Sequence, residues 1–123
     1  MFILDWKYFH YTKKYYGLFT TSNRNWDDAR NDCRSYGGDL ASVTSKYENN
    51  FLKSLAIPAT RAWIGGDSSD SGATWTWSDG TTFGYVNWQG SHGSTGGKIN
   101  IQSNGLWRDE DGALVKDYIC EKF

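Results

Sequence analysis

The chain is short of cysteine, proline, methionine and histidine, with two, one, one and two among its 123 residues. Cys33 and Cys120 stand too far apart for a Cys-x-x-Cys redox or zinc pair. Two readings stay open for them: one long-range disulfide, or two buried free thiols. A disulfide across that span would contribute roughly 4–5 kcal/mol in the chain-entropy account. It would also imply an oxidising compartment. No apolar run is long enough to cross a bilayer. The opening "MFILDWKYFHY" turns polar at Asp5, so it does not read as a signal peptide. A secreted protein would be seen here in mature or truncated form. No Asn-x-Ser/Thr acceptor for glycosylation is present. Neither sign of charge is in excess, the net being −1. That argues against a field built for nucleic acid or acidic membranes.

Signals for catalysis are also thin. His10 and His92 lie far apart, and His10 falls in a strand-like run, so histidine-based metal catalysis has little support. "HGSTGGKI" approaches a phosphate loop, but His92 stands where glycine is needed and Ile99 where Ser or Thr is needed. No nucleophile-elbow pattern occurs. The expectation is that the chain is not an enzyme.

Aromatic residues are abundant instead: seven Trp, eight Tyr and six Phe. Rings at this density either fill a core or are displayed for binding. Residues 6–21 read as two aromatic strand-like runs broken at Thr12-Lys13-Lys14. In "NWDDARNDCRSYGG", Trp26, Ala29, Cys33 and Tyr36 recur at helical spacing. Asn25 suits the N-cap, Asp27 and Asp28 suit the first turn, and Gly37-Gly38 supplies the stop. "DLASV" reads as a brief strand. "TSKYENNFLKSL" reads as a second helix, with Ser45 and Glu48 spaced as a capping box and Tyr47, Phe51 and Leu55 as its buried stripe. Pro58 follows its end. Beyond residue 60, "RAWIGG", "TWTW", "KINIQ", "LWRDE" and "VKDYICEKF" read as strands. Asn104-Gly105 between two of them is a hairpin signal. Strands, two helices and more strands make the fold class α+β, in a single domain over residues 1–123. The Gly- and Ser-rich region 66–98 is the long loop region, where function tends to sit.

The ordered series "NWDDARNDC", "GGDLASV", "WIGG", "WTWSDGT", "VNW", "NGLWRDE" and "YICE" resembles a C-type lectin-like domain over about residues 6–123. The resemblance implies two helices plus two small antiparallel sheets, with a long loop region on one side. It implies terminal strands lying together and Cys33–Cys120 as the family's outer disulfide. Departures from the pattern are specific. The family's inner staple would join positions occupied here by Lys98 and Gly112. The Glu-Pro-Asn or Gln-Pro-Asp triplet of sugar-binding members is missing, and Trp-Asn-Asp becomes Trp107-Arg108-Asp109. Calcium needs six to eight oxygens, and by position only Asp109 remains of the sugar-site ligands. Arg108 adds a fixed positive charge. Two such charges a few ångströms apart repel by about 4 kcal/mol at an effective dielectric of 20.

The resemblance therefore implies a site without its usual calcium. Calcium stays possible in three other arrangements: rebuilt around Asp109, Glu110 and Asp111; at the accessory position of Asp67 and Asp70; or between Glu48 and Glu121, a pair that holds a structural calcium in some members. The binding face would comprise Trp88, Gln89, His92, Lys98, Asn100, Trp107, Arg108 and Asp109. Trp107 reads as core beneath the loop, and Trp63, Trp75 and Trp77 as core. With neither staple nor calcium, residues 89–98 are expected to be mobile until a ligand orders them. The implied function is an extracellular recognition module for a protein or glycan, secreted or part of a receptor. The alternatives are a calcium-dependent carbohydrate-binding lectin with a rebuilt site, and a structural protein coating a mineral or ice face.

Overall fold

A computed structural model describes residues 5–56, 61–94 and 96–123, the side chains of residues 21 and 22 excepted. Pro58 lies outside the described residues. Helix α1 spans Trp26–Ser35. It starts where expected, because the Asn25 side chain accepts from the Asp28 N–H at 2.8 Å and Asp27 and Asp28 meet the positive end of the dipole. Trp26, Ala29 and Cys33 turn inward. Tyr36, the C-cap, lies at the edge of that face, against Phe19 at 5.4 Å and 44% exposed.

Helix α2 spans Lys46–Leu55, with Ser45 accepting from the Glu48 N–H. Its buried face corrects the sequence expectation. Glu48, Asn49 and Leu52 are buried, whereas Tyr47 is 62% exposed, and Phe51 and Leu55 are only partly covered. The stripe is rotated because two polar residues find partners inside. Tyr16 Oη donates to Glu48 at 2.5 Å, and Trp107 Nε1 donates to Asn49 at 2.7 Å. A pattern that scores only apolar residues misses satisfied polar ones.

The strands are β1 (Lys7–Phe9), β2 (Lys14–Arg24), β3 (Asp39–Leu40), β4 (Arg61–Asp67), β5 (Thr76–Trp77), β6 (Lys98–Gln102), β7 (Trp107–Glu110) and β8 (Lys116–Lys122). Their order is β1-β2-β8-β4-β6-β7, with β3 beside β8 and β5 beside β4. Two antiparallel groups meet at a parallel seam between β4 and β8, where Ala62 pairs with Asp117 and Trp63 with Tyr118. The terminal strands lie together, as β2 against β8. The β6–β7 hairpin turns at Asn104-Gly105, and Gly105 takes φ +86°, which only glycine adopts freely.

Two core clusters form, each drawing residues from both groups. Ile64, Trp77, Ile99, Ile101 and Trp107 pack with Val43 and Leu52. Trp26, Leu40, Trp63 and Tyr118 surround the cystine. Cys33 and Cys120 are bonded, with Cα atoms 5.2 Å apart, tying α1 to β8.

Candidate functional site

The site is organised by alternation along β7, which sends successive side chains to opposite faces. Trp107 and Asp109 point in, and Arg108 and Glu110 point out. Trp107 is fully buried, as the sequence suggested. Trp77, Phe83, Tyr85 and Trp88 meet its ring edge-on, with centroids 5.5–6.5 Å away. Its backbone takes part too: its N–H donates to Asn87 O, and its carbonyl accepts from the Gln89 N–H, both at 2.8 Å. The descending long loop is thus laid along β7. Trp88 is half-buried, against Trp75 at 5.3 Å.

Asp109 gathers the rest of the loop. Its Oδ1 meets His92 Nδ1 at 2.9 Å and accepts from the Gly93 N–H at 2.7 Å. Its Oδ2 accepts from the Gly96 N–H at 2.6 Å. Gly93 O in turn accepts from Trp75 Nε1 at 2.9 Å. At Gly93 a Cβ would lie 2.7 Å from the Trp88 ring, so glycine is what allows the loop to close. Within the 89–98 segment, which the sequence suggests is mobile, His92, Gly93 and Gly96 are hydrogen-bonded to Asp109. A carboxylate gathering backbone N–H donors does the work that a staple or an ion would otherwise do.

Asn100, fully buried on β6, stands in register with Arg108. Asn100 Nδ2 donates to Glu110 at 2.8 Å. Two buried atoms here, Asn100 Oδ1 and Arg108 Nε, have no hydrogen-bond partner among the described residues. Gln102 donates to Gln89 beside them. Glu110 faces Lys116 at 3.1 Å and Arg61 at 3.6 Å. Burial pushes its carboxyl up, but the hydrogen bond and charge of Lys116, with Asn100 and Arg61, hold it below the usual range.

The proposed metal ligands are held in other ways. Asp109 and Glu110 face opposite sides of β7, and Asp111 accepts from the Ala113 N–H in the following turn. The rebuilt trio does not converge. Asp67 pairs with Lys98 at 2.5 Å, and the same ammonium lies 4.3 Å from the centre of the Trp26 ring. Lys98 packs against Gly112, so a cation spanning an acid and a ring occupies the place of the inner staple. Asp70 accepts from the Thr74 hydroxyl and N–H and from Ser68, bonds that hold its carboxyl down at about 2. Between Glu48 and Glu121 sits the ammonium of Lys14, 3.1 Å from one and 2.8 Å from the other. Among the described residues, no group of three or more His, Cys, Asp or Glu side chains could hold a metal ion.

Sequence reasoning missed Lys14 and Asp79. Lys14 looks like a loop breaker between two aromatic runs, and only the fold brings it to Glu48 and Glu121. Ser42 Oγ donates to Asp79 at 2.6 Å, and the Ser42 N–H to Glu121 at 2.8 Å. Burial first, then the hydrogen bond to Asp79, raises the Glu121 carboxyl to about 8. Burial and Glu48 also push the Tyr16 phenol upward.

Comparisons with known proteins agree with this architecture. The chain is 30% identical over 109 residues to the secretory phospholipase A2 receptor of Pongo abelii, covering 83% of this chain. It is 44% identical over 82 residues to C-type lectin domain family 4 member F of Rattus norvegicus, covering 67% of this chain. The chain spans only 7% and 14% of those two proteins. Among solved structures, a Ca2+-dependent type II antifreeze protein in its Ca2+-free form superposes with a TM-score of 0.86 at 29% identity, over 97% of this chain and 98% of that one. A family model, the Lectin C-type domain, matches residues 22–122. The chain belongs to the C-type lectin domain family, a family of ligand-recognition modules.

Proposed function

We propose that residues 1–123 act as one extracellular, non-catalytic recognition domain. It binds a glycan or protein ligand through the long-loop face without the usual sugar-site calcium. The observation that carries this reading is the engagement of Asp109. Its two oxygens take loop donors from His92, Gly93 and Gly96. The face beside it offers Arg108, Gln89 and Gln102 instead of a metal. Arg108 is the residue to meet ligand, because arginine forms bidentate contacts and is enriched at binding hot spots. The lectin and receptor names of the relatives support recognition as the role.

A glycan array probed once with millimolar calcium and once with chelator tests this. Binding that survives chelator and is lost in Arg108→Ala supports the calcium-free face. Binding abolished by chelator overturns it in favour of a rebuilt calcium site. Silence in both conditions moves the search to protein ligands. The likeness to an antifreeze protein over nearly the whole chain favours a second reading, adsorption to an ordered surface such as ice. Thermal hysteresis of the purified chain checks that reading.

A further inference from the structure

Cations cross one face of the sheet as a band. Arg24 on β2 stands in register with Lys116 on β8. Lys116 and Arg61 each precede a member of the seam pair Ala62–Asp117, which makes them neighbours on β8 and β4. Both reach Glu110 on β7, at 3.1 and 3.6 Å. Arg108 projects from the same side of β7 as Glu110, because residues two apart on a strand share a face. From β2 to β7 the sheet order gives four inter-strand steps, about 19 Å at the usual spacing. Within the band opens a cavity of about 440 Å³, lined by Asn23, Arg61, Val115, Lys116 and Asp117.

The carboxylates near the band do not balance it. Glu110 serves both Arg61 and Lys116. Asp117 accepts from Asn23 at 2.6 Å. Arg24 Nε donates to the Tyr118 hydroxyl at 3.2 Å, and Asp28 and Asp32 of α1 act on Arg24 through charge alone. Among the described residues no acid pairs with Arg108. Arg24, Arg61, Lys116 and Arg108 thus stand against Glu110 and Asp117, a local positive excess in a chain whose net charge is −1. At physiological salt a charge is felt over about 8 Å, so the band and not the whole molecule sets the attraction.

The surroundings choose among anions. Protein ligands dock on apolar and aromatic anchors, and single-stranded nucleic acid stacks its bases on rings. Of the cavity's lining residues, Val115 alone is apolar and none is aromatic. The large exposed rings belong to β1, the β1–β2 turn, the start of β2, the helix ends and the C-terminus. Beside Arg108, Gln102 and Gln89 offer amides, which donate and accept as sugar hydroxyls do. We propose that the ligand is an anionic glycan, a sugar chain bearing sulfate or carboxylate groups, lying from Arg108 across Arg61 and Lys116 toward Arg24. This rests on the reading that Arg108 meets ligand, and adds the ligand's charge and its path. The planar fork of arginine fits either anionic group bidentately.

Calorimetry on the 123-residue chain, with chelator present, tests this with a heparin tetrasaccharide and with tetragalacturonic acid. Desulfated, carboxyl-reduced heparin tetrasaccharide is the neutral control, and acetyl-tetraglutamate amide is the acidic peptide. The anionic sugars should bind, and raising NaCl from about 20 to about 150 mM should weaken them severalfold. Arg61→Gln and Arg108→Gln should each weaken binding about tenfold, the loss expected of one charge-assisted hydrogen bond. Lys46→Gln, an exposed cation on α2 outside the band, should bind as wild type does. Tighter binding of the heparin sugar assigns sulfate, and equal affinities assign any anionic sugar. Equal binding of the neutral sugar overturns the proposal and leaves the calcium-free face standing. Tighter binding of the peptide than of either anionic sugar overturns the glycan assignment. Equal losses in Lys46→Gln and Arg61→Gln, or none in Arg61→Gln, overturn the band. No binding of any sugar removes both the proposal and a glycan ligand for the long-loop face.

Discussion

Lys14 shows how one residue can replace an ion. Its ammonium is nearly buried, with Glu48 and Glu121 on either side. Removing one partner of a buried ion cluster leaves uncompensated charge, which typically costs about 3–5 kcal/mol. Lys14→Met should therefore lower the unfolding free energy by about 3 kcal/mol. Adding Glu121→Gln should recover part of that loss. Urea unfolding of the single and double variants measures both, and a Lys14→Met loss under about 1 kcal/mol would contradict the role. Glu121 also sets a pH dependence. Its folded carboxyl is raised to about 8 from 4.5, by burial and then by Asp79. A raised pKa means that the folded state binds the extra proton. The stabilisation is complete below about 4.5 and is lost as pH rises through about 8. Asp117, also raised by burial, acts in the same direction from a lower starting point. Unfolding followed from pH 5 to 9 should show declining stability, and Glu121→Gln should flatten the slope. An unchanged slope would move the effect elsewhere. Neither residue's role was legible in the sequence, where Lys14 and Glu121 are 107 positions apart. Only burial by the fold makes the ammonium indispensable and the carboxyl basic.

At the level of elements, local rules read well wherever they rest on local chemistry. The Asn25 and Ser45 caps, the Asn104-Gly105 hairpin and strands β4, β6, β7 and β8 fall where side-chain and turn preferences put them. The failures share one cause. Helix α2 buries Glu48 and Asn49, and the long loop is held through backbone N–H groups that no residue type announces. The sequence pointed to residues that gather around β7 and the long loop, but not to their wiring. Asp109 stood out as a surviving acid, but its partners are two glycine amides and one imidazole. This wiring has a direct test. The Gly93 and Gly96 amides should be protected from hydrogen exchange in the unliganded chain. Asp109→Ala should lower their protection by tenfold or more, since a charged acceptor contributes about 1.5–3 kcal/mol. Amides of α2 should keep their local pattern. Fast exchange at both glycines in wild type would restore the mobile loop that the sequence suggested.

At the scale of the whole molecule, the ordered motifs made the fold legible, while the junction between its halves was not. Only two residue pairs form the parallel seam of β4 with β8, too little backbone to leave a pattern in either strand. The cystine lies on one side of that seam, joining α1 to β8. The Asp109 network lies on the other, among β7 and the long loop. A covalent tie on one side and a hydrogen-bonded tie on the other make two distinct responses. The cystine acts chiefly on the unfolded chain, where closing so long a loop removes about 4–5 kcal/mol worth of conformational freedom. Cys33→Ala with Cys120→Ala should therefore lower the melting temperature by about 16–20 °C, at about 4 °C per kcal/mol for a chain of this size. The hydrogen bonds from His92, Gly93 and Gly96 to Asp109 involve neither cysteine. Local opening at Gly93 and Gly96, measured by hydrogen exchange well below the melting point, should therefore match wild type in the cystine-free variant. If the two glycines lose protection while the fold persists, the halves are coupled through the seam, and the long-loop face depends on the redox state of a bond outside it.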